Sequence, residues 1–165
     1  MTRAKDIRAA NKSNVDWGKW EDARMSASVF PLSRRRQSSF RLGTAFRWRL
    51  VRFDARGYKF RLLLVLAFSL TKEQYRATLA IEDERDLTVL ASYEFHGTHP
   101  GWHLLATCDD IATVPAGVMI GPWQRRFPKA RGNHRRVDFG VKDDVTALDA
   151  AAKFFRLHKA EGKLI

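Results

Sequence analysis

Residues 94–110, which read EFHGTHPGWHLLATCDD, hold the side chains of this chain that are best suited to chemistry. Three of the five histidines, His96, His99 and His103, fall within eight residues, and the only cysteine, Cys108, follows them. An unperturbed imidazole has a pKa of about 6.5, so it can move a proton at neutral pH and, when neutral, can bind a metal ion. We therefore expect any catalytic site to lie in this segment.

Metal-independent cleavage of a phosphodiester bond is the reaction that two histidines and nearby arginines suit best. One histidine would take the proton of a ribose 2′-hydroxyl, and a second, protonated histidine would supply a proton to the leaving oxygen. Arginine side chains would stabilise the charge that develops around phosphorus. We predict His96 and His103 as the catalytic pair, with His99 as the next choice.

Two kinds of metal site are also conceivable in this segment. The three histidines and Cys108 could bind zinc, but their spacing matches no common zinc signature and the chain has no second cysteine. Glu94, Asp109 and Asp110 flank the histidines and could hold magnesium, although the two aspartates are equally suited to cap a loop or a helix. We therefore expect no metal ion and no other cofactor.

A structural role is the alternative that the sequence favours when the histidines are considered alone. Pro100 and Gly101 would shape a turn, His99 would stabilise it, and Trp102 would cover the end of a sheet. Cys108 would then be a small buried apolar residue.

The register of the hairpin that contains the histidines decides whether they can act together. If its two strands pair symmetrically about the loop 97–101, His96 lies opposite Trp102 and Phe95 lies opposite His103. Opposed residues share a face and neighbours alternate, so the two histidines would lie on opposite faces of the sheet. A one-residue bulge beside a glycine of the loop would reverse this conclusion.

The net charge of +12 is concentrated in two blocks of the chain. Residues 31–61 hold ten basic residues against Asp54 alone, and residues 123–136 hold six basic residues and no acidic one. Arginine, which pairs with phosphate through two parallel hydrogen bonds and stacks on bases, dominates both blocks. Positive charge in such blocks suits a polyanion. The residues that we expect to bind nucleic acid are Arg34, Arg35, Arg36, Arg41, Arg47, Arg49, Arg125, Arg126, Lys129, Arg131, Arg135 and Arg136.

These observations predict a nucleic-acid-binding protein that prefers RNA or a single strand to duplex DNA. No predicted helix is basic enough to enter a major groove, whereas arginines and aromatic residues on a sheet suit unpaired bases. A small metal-independent ribonuclease of the toxin or phage-defence kind is the alternative, and a basic subunit that docks on a larger assembly is the second alternative. The single cysteine fits the cytoplasm. We expect no membrane association, because the longest apolar run, residues 62–68, is too short to span a bilayer.

Alternation of apolar and polar residues predicts an α+β fold that carries the histidine segment on a sheet. Turns too short for helices join about five strands, so the sheet is an antiparallel meander. An amphipathic C-terminal helix packs on one face. The strands lie within residues 40–53, 58–69, 75–82, 87–95 and 102–107, and the helix spans residues 143–159. The first strand is expected to present Arg47 and Arg49 on its outer face.

Hydrophobic periodicity is weaker near the two ends of the chain than in the central strands. We expect a flexible arm over residues 1–13, followed by a single domain over residues 14–165 that opens with a short helix within residues 14–28. Residues 123–136 have no periodicity and predict a loop, with a short strand at 136–139.

Overall fold

The structure is a computed structural model that describes residues 1–22, 24–25, 42–82, 87–96, 99–114, 123–127 and 138–158. For residues 99–100 and 123–127 only the backbone is described. The α-helices of the described residues are α1 (Ala4–Ala9) and α2 (Asp144–Phe155). The strands are β1 (Lys12–Asp16), β2 (Trp20–Glu21), β3 (Arg47–Ala55), β4 (Arg61–Ser69), β5 (Gln74–Glu82), β6 (Leu87–His96), β7 (His99–Ala106) and β8 (Trp123–Phe127).

The eight strands of the described residues form one antiparallel sheet. β3 to β8 pair in chain order, which is the meander that short turns between strands predict. At the other edge, β1 and β2 both pair with β3. The predicted α+β fold with an antiparallel meander is therefore confirmed, and β1, β2 and β8 extend the sheet beyond the five strands expected.

Alternation along the strands gives the sheet two buried faces. One face packs against α1 and α2 and includes Leu64 and Leu79. The opposite face holds a second apolar cluster that includes Val65 and Val89. Every residue of β4 after Arg61 is buried, as its continuous apolar sequence predicts for a strand covered on both sides.

Helix α2 is the predicted C-terminal amphipathic helix. It begins at a capping box in which Asp143 and Thr146 bond each other's side chain and backbone. It ends where Arg156 takes the left-handed conformation, with φ of 56°. Neither α1 nor α2, the helices of the described residues, is long and apolar enough to cross a membrane. The side chains that α2 buries are Ala147, Leu148, Ala151, Ala152 and Phe155.

The N-terminal residues are more regular than the sequence predicts. Where a flexible arm is expected over residues 1–13, the chain forms α1 and β1. Ala4 and Ile7 on α1 are fully buried in the core, so burial of one small apolar face holds this short helix in place.

The helix expected within residues 14–28 is wrong for its described part, where the chain forms β1 and β2. Gly18 lies between these strands with φ of +60°, and a Cβ at this position would lie 2.2 Å from the carbonyl oxygen of Leu50. Only glycine tolerates both the backbone conformation and this close approach. The tight turn at Gly18 therefore breaks the helical pattern and directs the chain along β3.

Strand β8 corrects the loop predicted over residues 123–136. Its five residues pair with β7 as an edge strand, and pairing to a neighbour, which no local pattern reveals, stabilises it. At the strand predicted for 136–139, residues 138–139 are irregular, and residues 136–137 lie outside the described part.

Candidate functional site

The β6–β7 hairpin brings His96 and His103 to the same face of the sheet. Glu94 pairs directly with His103, so the register lies one residue away from symmetric pairing. The ladder then shifts between Phe95 and His96, near Gly101, which has φ of 86°. Residues two apart on a strand share a face, so His96 joins Glu94 and His103. The strands therefore do not pair symmetrically, and an irregularity beside a loop glycine places the two histidines on one face, which is the alternative that the sequence left open.

Glu94, His96 and His103 form a compact cluster. Their oxygen and nitrogen ligand atoms all lie within 4.8 Å of one another. Glu94 Oε2 lies 3.5 Å from His103 Nε2, and the two imidazole rings meet edge to face with centroids 4.6 Å apart. Glu94 and His103 are only 5% and 4% exposed, whereas His96 is half-buried. His96 is therefore the member of the cluster that a ligand from solvent meets most readily.

A row of polar side chains on β5 and β6 fixes the orientation of the Glu94 carboxylate. Its Oε1 accepts a hydrogen bond from Ser92 Oγ at 2.6 Å and lies 3.1 Å from Arg76 Nε. The Ser92 and Thr78 hydroxyls are also hydrogen-bonded, at 3.0 Å. These contacts hold Oε1, while Oε2 faces His103.

The Glu94 carboxylate stays ionised despite its burial. Burial by itself raises the pKa of this group, but hydrogen bonding with His103, the charge of Arg76 and the bond from Ser92 outweigh it and hold the pKa at about 2. The cluster therefore presents one fixed negative charge beside two imidazoles. Such a set can orient an imidazole for proton transfer or bind a metal ion.

A cleft of about 270 Å³ lies beside the cluster, at the end of the sheet where β5 begins and β6 ends. Its volume falls slightly below the range of about 300–1,000 Å³ that is typical of drug-sized ligands. It therefore suits a small group or one part of a larger substrate. Its lining residues, which do not include His103, are Leu42, Phe46, Gln74, Tyr75, Arg76, Glu94, Phe95 and His96.

His99 and Cys108 are the two other residues of this segment that the sequence analysis considered for chemistry. The backbone of His99 pairs with His96, and its side chain lies outside the described part of the structure. Cys108 is half-buried and its Sγ lies 3.7 Å from Arg8 Nη2. Among the described side chains, Cys108 does not belong to the cluster around Glu94, so this cysteine is not a ligand beside His96 and His103 in the zinc site that the sequence analysis considered.

Asp109 and Asp110 were considered either as magnesium ligands together with Glu94 or as caps, and the structure shows the capping role for Asp110. The Asp110 carboxylate accepts from the Ala112 N–H at 3.2 Å and caps a short 3-10 helix. The carbonyl of Asp109 accepts from the Ala4 N–H at 2.9 Å. Within the described residues, neither aspartate joins the cluster.

Arg49, predicted to lie on an exposed face and bind nucleic acid, is 4% exposed. Its guanidinium donates hydrogen bonds to the carbonyls of Trp17 and Gly18 and lies 5.8 Å from the ring centre of Trp20. The predicted strand is present, but the prediction that Arg49 lies on an exposed basic face is wrong. The N-terminal segment covers this residue and uses its donors.

Of the other residues predicted to bind nucleic acid, the structure describes only Arg47 and the backbones of Arg125 and Arg126. Arg47 is partly exposed and ion-paired with Asp22 and Asp144, at 3.1 and 3.0 Å. Arg125 and Arg126 lie on β8, where Arg126 is the register partner of His103. The remaining predicted residues lie outside the described part of the chain: Arg34, Arg35, Arg36, Arg41, Lys129, Arg131, Arg135 and Arg136.

Three polar residues that the sequence did not single out support the site: Arg76, Thr78 and Ser92. Alternation along β5 does predict that Arg76 and Thr78 share a face. Their register partners on β6 are Glu94 and Ser92. Polar residues at alternate positions of two neighbouring apolar strands are the signal that would have indicated a cross-strand network.

Comparisons with known proteins give no match. No family model fits the chain, no curated protein is significantly similar to it, and no solved structure matches its fold. The fold and the cluster therefore define the protein only as an α+β protein with a Glu–His–His cluster at one end of an antiparallel sheet.

Proposed function

We propose that this protein binds single-stranded nucleic acid, with RNA preferred, and cleaves its phosphodiester backbone at the Glu94–His96–His103 cluster. The observation that carries the proposal is the convergence of two imidazoles, with ring centroids 4.6 Å apart, beside a cleft that Arg76 also lines. Phosphodiester cleavage needs a group that moves a proton near neutral pH and a cation close to the phosphate oxygens. The cleft offers both.

The charge of the chain supports a polyanionic substrate. Two basic blocks flank the cluster in sequence, and β8, from the second block, pairs with β7 so that Arg126 stands opposite His103. Helix α2 carries Lys153 against Asp144 and Asp149, so it has no basic face to place in a major groove. An unpaired strand is therefore the better ligand. We place the protein in the cytoplasm, where RNA is present and a lone cysteine stays reduced.

His96 is the group that meets the substrate in this proposal. It is half-buried and lines the cleft, whereas His103 is 4% exposed and does not line it. Glu94 contacts His103 through Oε2 and Arg76 through Oε1. The geometry thus favours proton transfer by His96 and positioning roles for Glu94 and His103. This differs from the acid–base pair predicted from the sequence.

The cleavage step follows from these positions. His96 takes the proton of a 2′-hydroxyl, the 2′-oxygen attacks phosphorus, and the bond from phosphorus to the 5′-oxygen breaks. The departing 5′-oxygen takes a proton from solvent. Arg76, which lines the cleft, lies where its guanidinium can stabilise the charge on the phosphate oxygens.

A binding protein without catalytic activity is the second candidate function. The burial of Glu94 and His103 favours it, because a well-bonded buried polar network also serves to fix a core. Docking on a larger assembly through the basic blocks is a third outcome that the same experiment can distinguish.

One labelled single-stranded RNA tests the proposal through binding and cleavage together. We expect log K to fall linearly with log salt, because phosphate contacts release counterions. The wild type should cut the RNA, and His96→Ala should cut it at least about 100-fold more slowly, since general acid–base catalysis contributes about 10²–10⁴-fold. The matched control is His158→Ala, which removes an exposed histidine outside the cluster and should leave both quantities unchanged.

The outcomes of this experiment distinguish the nuclease, the binding protein and the docking subunit. A flat response of log K to log salt contradicts nucleic-acid binding. Tight binding without cleavage, or cleavage that His96→Ala retains in full, overturns the catalytic role of the cluster and supports the binding protein. A partner protein that co-purifies from the native host without nucleic acid supports the docking subunit.

A further inference from the structure

We propose that Glu94, His96 and His103 bind a divalent transition-metal ion of the zinc class. Two imidazole nitrogens and one carboxylate oxygen form a ligand set that zinc uses in catalytic sites, where a fourth position stays open. Magnesium and calcium prefer oxygen ligands alone, so the two histidines favour a softer ion. The inference deepens the proposed function and rests on it for what the ion does, but the binding itself is measured without RNA.

The contact between Glu94 and His103 is a long hydrogen bond, and its length matches the spacing of two ligands of one metal ion. Glu94 Oε2 and His103 Nε2 lie 3.5 Å apart, beyond the ~2.7–2.9 Å of a charge-assisted hydrogen bond. Two ligands of a tetrahedral zinc, each bonded at about 2.0–2.1 Å, lie about 3.3–3.4 Å from each other. This pair therefore already has the spacing that a zinc ion requires.

The third ligand needs only a small movement. All three ligand atoms lie within 4.8 Å of one another, so the His96 ring has to shift by no more than about 1.5 Å to reach zinc-ligand spacing. His96 is the half-buried member of the cluster, next to the cleft. It therefore has more freedom to move than the two buried ligands.

The surroundings of Glu94 match the outer shell of a metal site. Ligating carboxylates are themselves held by hydrogen bonds, which fix the oxygen that meets the metal. Ser92 Oγ and Arg76 Nε both contact Oε1, at 2.6 and 3.1 Å. The positive charge of Arg76 thus sits on the oxygen away from His103, and Oε2 remains directed to the proposed ion.

The cleft lies where the open coordination position of the ion is needed. Glu94 and His96 both line it, whereas His103 is buried and does not. A zinc ion held here would polarise a phosphate oxygen and lower the pKa of a water bound to it. The hydroxide formed when that water loses its proton, rather than His96, would then accept the proton of the 2′-hydroxyl.

Zinc binding by the full chain, freed of metal with a chelator, tests the inference. Isothermal titration with zinc sulfate should give one ion per chain. His96→Ala and the isosteric Glu94→Gln should each weaken binding by more than about 100-fold, because loss of a direct ligand costs more than the ~10–100-fold typical of outer-shell changes. Ser92→Ala should fall within that outer-shell range, and His158→Ala should bind as the wild type does.

Cobalt substitution gives a readout that does not depend on variants. Co²⁺ bound to the wild type should show the intense visible absorption of a four- or five-coordinate site. Absence of zinc uptake, equal affinity in the wild type and a folded His96→Ala, or only the weak absorption of six-coordinate Co²⁺ would each overturn the metal site. RNA that is cleaved in a chelator at the full rate would also overturn a role for the metal while leaving the proposed function intact. A bound zinc ion without any RNA binding would instead overturn the proposed function and leave the metal site.

Discussion

Replacing Arg49 with methionine should destabilise the fold and have little specific effect on nucleic-acid binding. The sequence predicts that Arg49 contacts nucleic acid, whereas the structure shows it 4% exposed and bonded to the carbonyls of Trp17 and Gly18. Its guanidinium also lies over the ring of Trp20 at 5.8 Å. The substitution therefore decides between a contact to a ligand and a clamp on the N-terminal segment.

The size of the effect follows from the two hydrogen bonds. A hydrogen bond to a charged group contributes about 1.5–3 kcal/mol. Gly18 is exposed and Trp17 is half-buried, so water can partly replace the lost donors, and the lower end applies to each bond. The free energy of unfolding should therefore fall by about 3 kcal/mol, which corresponds to a decrease in Tm of about 6–12 °C for a chain of this size.

Calorimetry and RNA anisotropy on matched variants provide the assay. Arg56→Met removes the same charge from an exposed position of the same basic block, and its stability should stay within about 0.5 kcal/mol of the wild type. At a temperature where all variants are folded, the two variants should lose similar amounts of RNA affinity. An Arg49→Met variant with unchanged Tm and a tenfold greater loss of affinity than Arg56→Met would refute the reasoning.

Three further predictions concern stability. Tyr75→Phe removes the hydrogen bond from Tyr75 Oη to the Ala147 carbonyl, at 2.9 Å, and should lower the free energy of unfolding by about 1 kcal/mol in urea; no measurable change would contradict it. Burial lowers the pKa of Lys12 from 10.5 to about 8, with a contribution from a nearby arginine. Between these pH values the unfolded state binds more protons, so the free energy of unfolding relative to Lys12→Met should rise with pH. Lys12 Nζ donates hydrogen bonds to the carbonyls of Ile7, Arg8 and Ala10, and a fall with pH would show that these bonds outweigh the cost of burial. Hydrogen bonds with Thr146 lower the pKa of Asp143. The wild type should therefore have a larger free energy of unfolding than Asp143→Asn above pH 3.8, and this difference should disappear as the pH falls through the lowered pKa. A difference that stays constant in acid would contradict the prediction.

Most of the sheet could be predicted because its strands carry their own patterns. β4 is apolar at every position between its ends, which indicates a strand covered on both faces. Helix α2 carries its start signal in Asp143 and Thr146 and an apolar stripe that packs on the sheet. These elements depend on periodicity and capping, which are local properties of the sequence.

The N-terminal elements and β8 depend instead on contacts with distant residues. α1 has six residues, too few to be stable alone, and is held by the burial of Ala4 and Ile7. The turn at Gly18 lies so close to the carbonyl of Leu50 that a side chain would not fit there. No local pattern encodes such an approach.

The composition of the site could be predicted only in part. The density of histidines indicated His96 and His103, but a shift of one residue in the β6–β7 register moves a side chain to the other face. Only the structure establishes that Glu94 lies opposite His103. Arg76 and Ser92 join the site through the same pairing, so their roles depend on a register that the sequence does not fix.

Single-turnover cleavage of one single-stranded RNA, with protein in excess, tests the central claim most directly. The wild type should convert the RNA to defined products, and His96→Ala should reduce the rate constant by at least about 100-fold while its Kd stays close to that of the wild type. His158→Ala should match the wild type in both. Equal rate constants for the wild type and His96→Ala, or no cleavage by a wild type that binds the RNA tightly, would contradict the claim that the Glu94–His96–His103 cluster carries the chemistry.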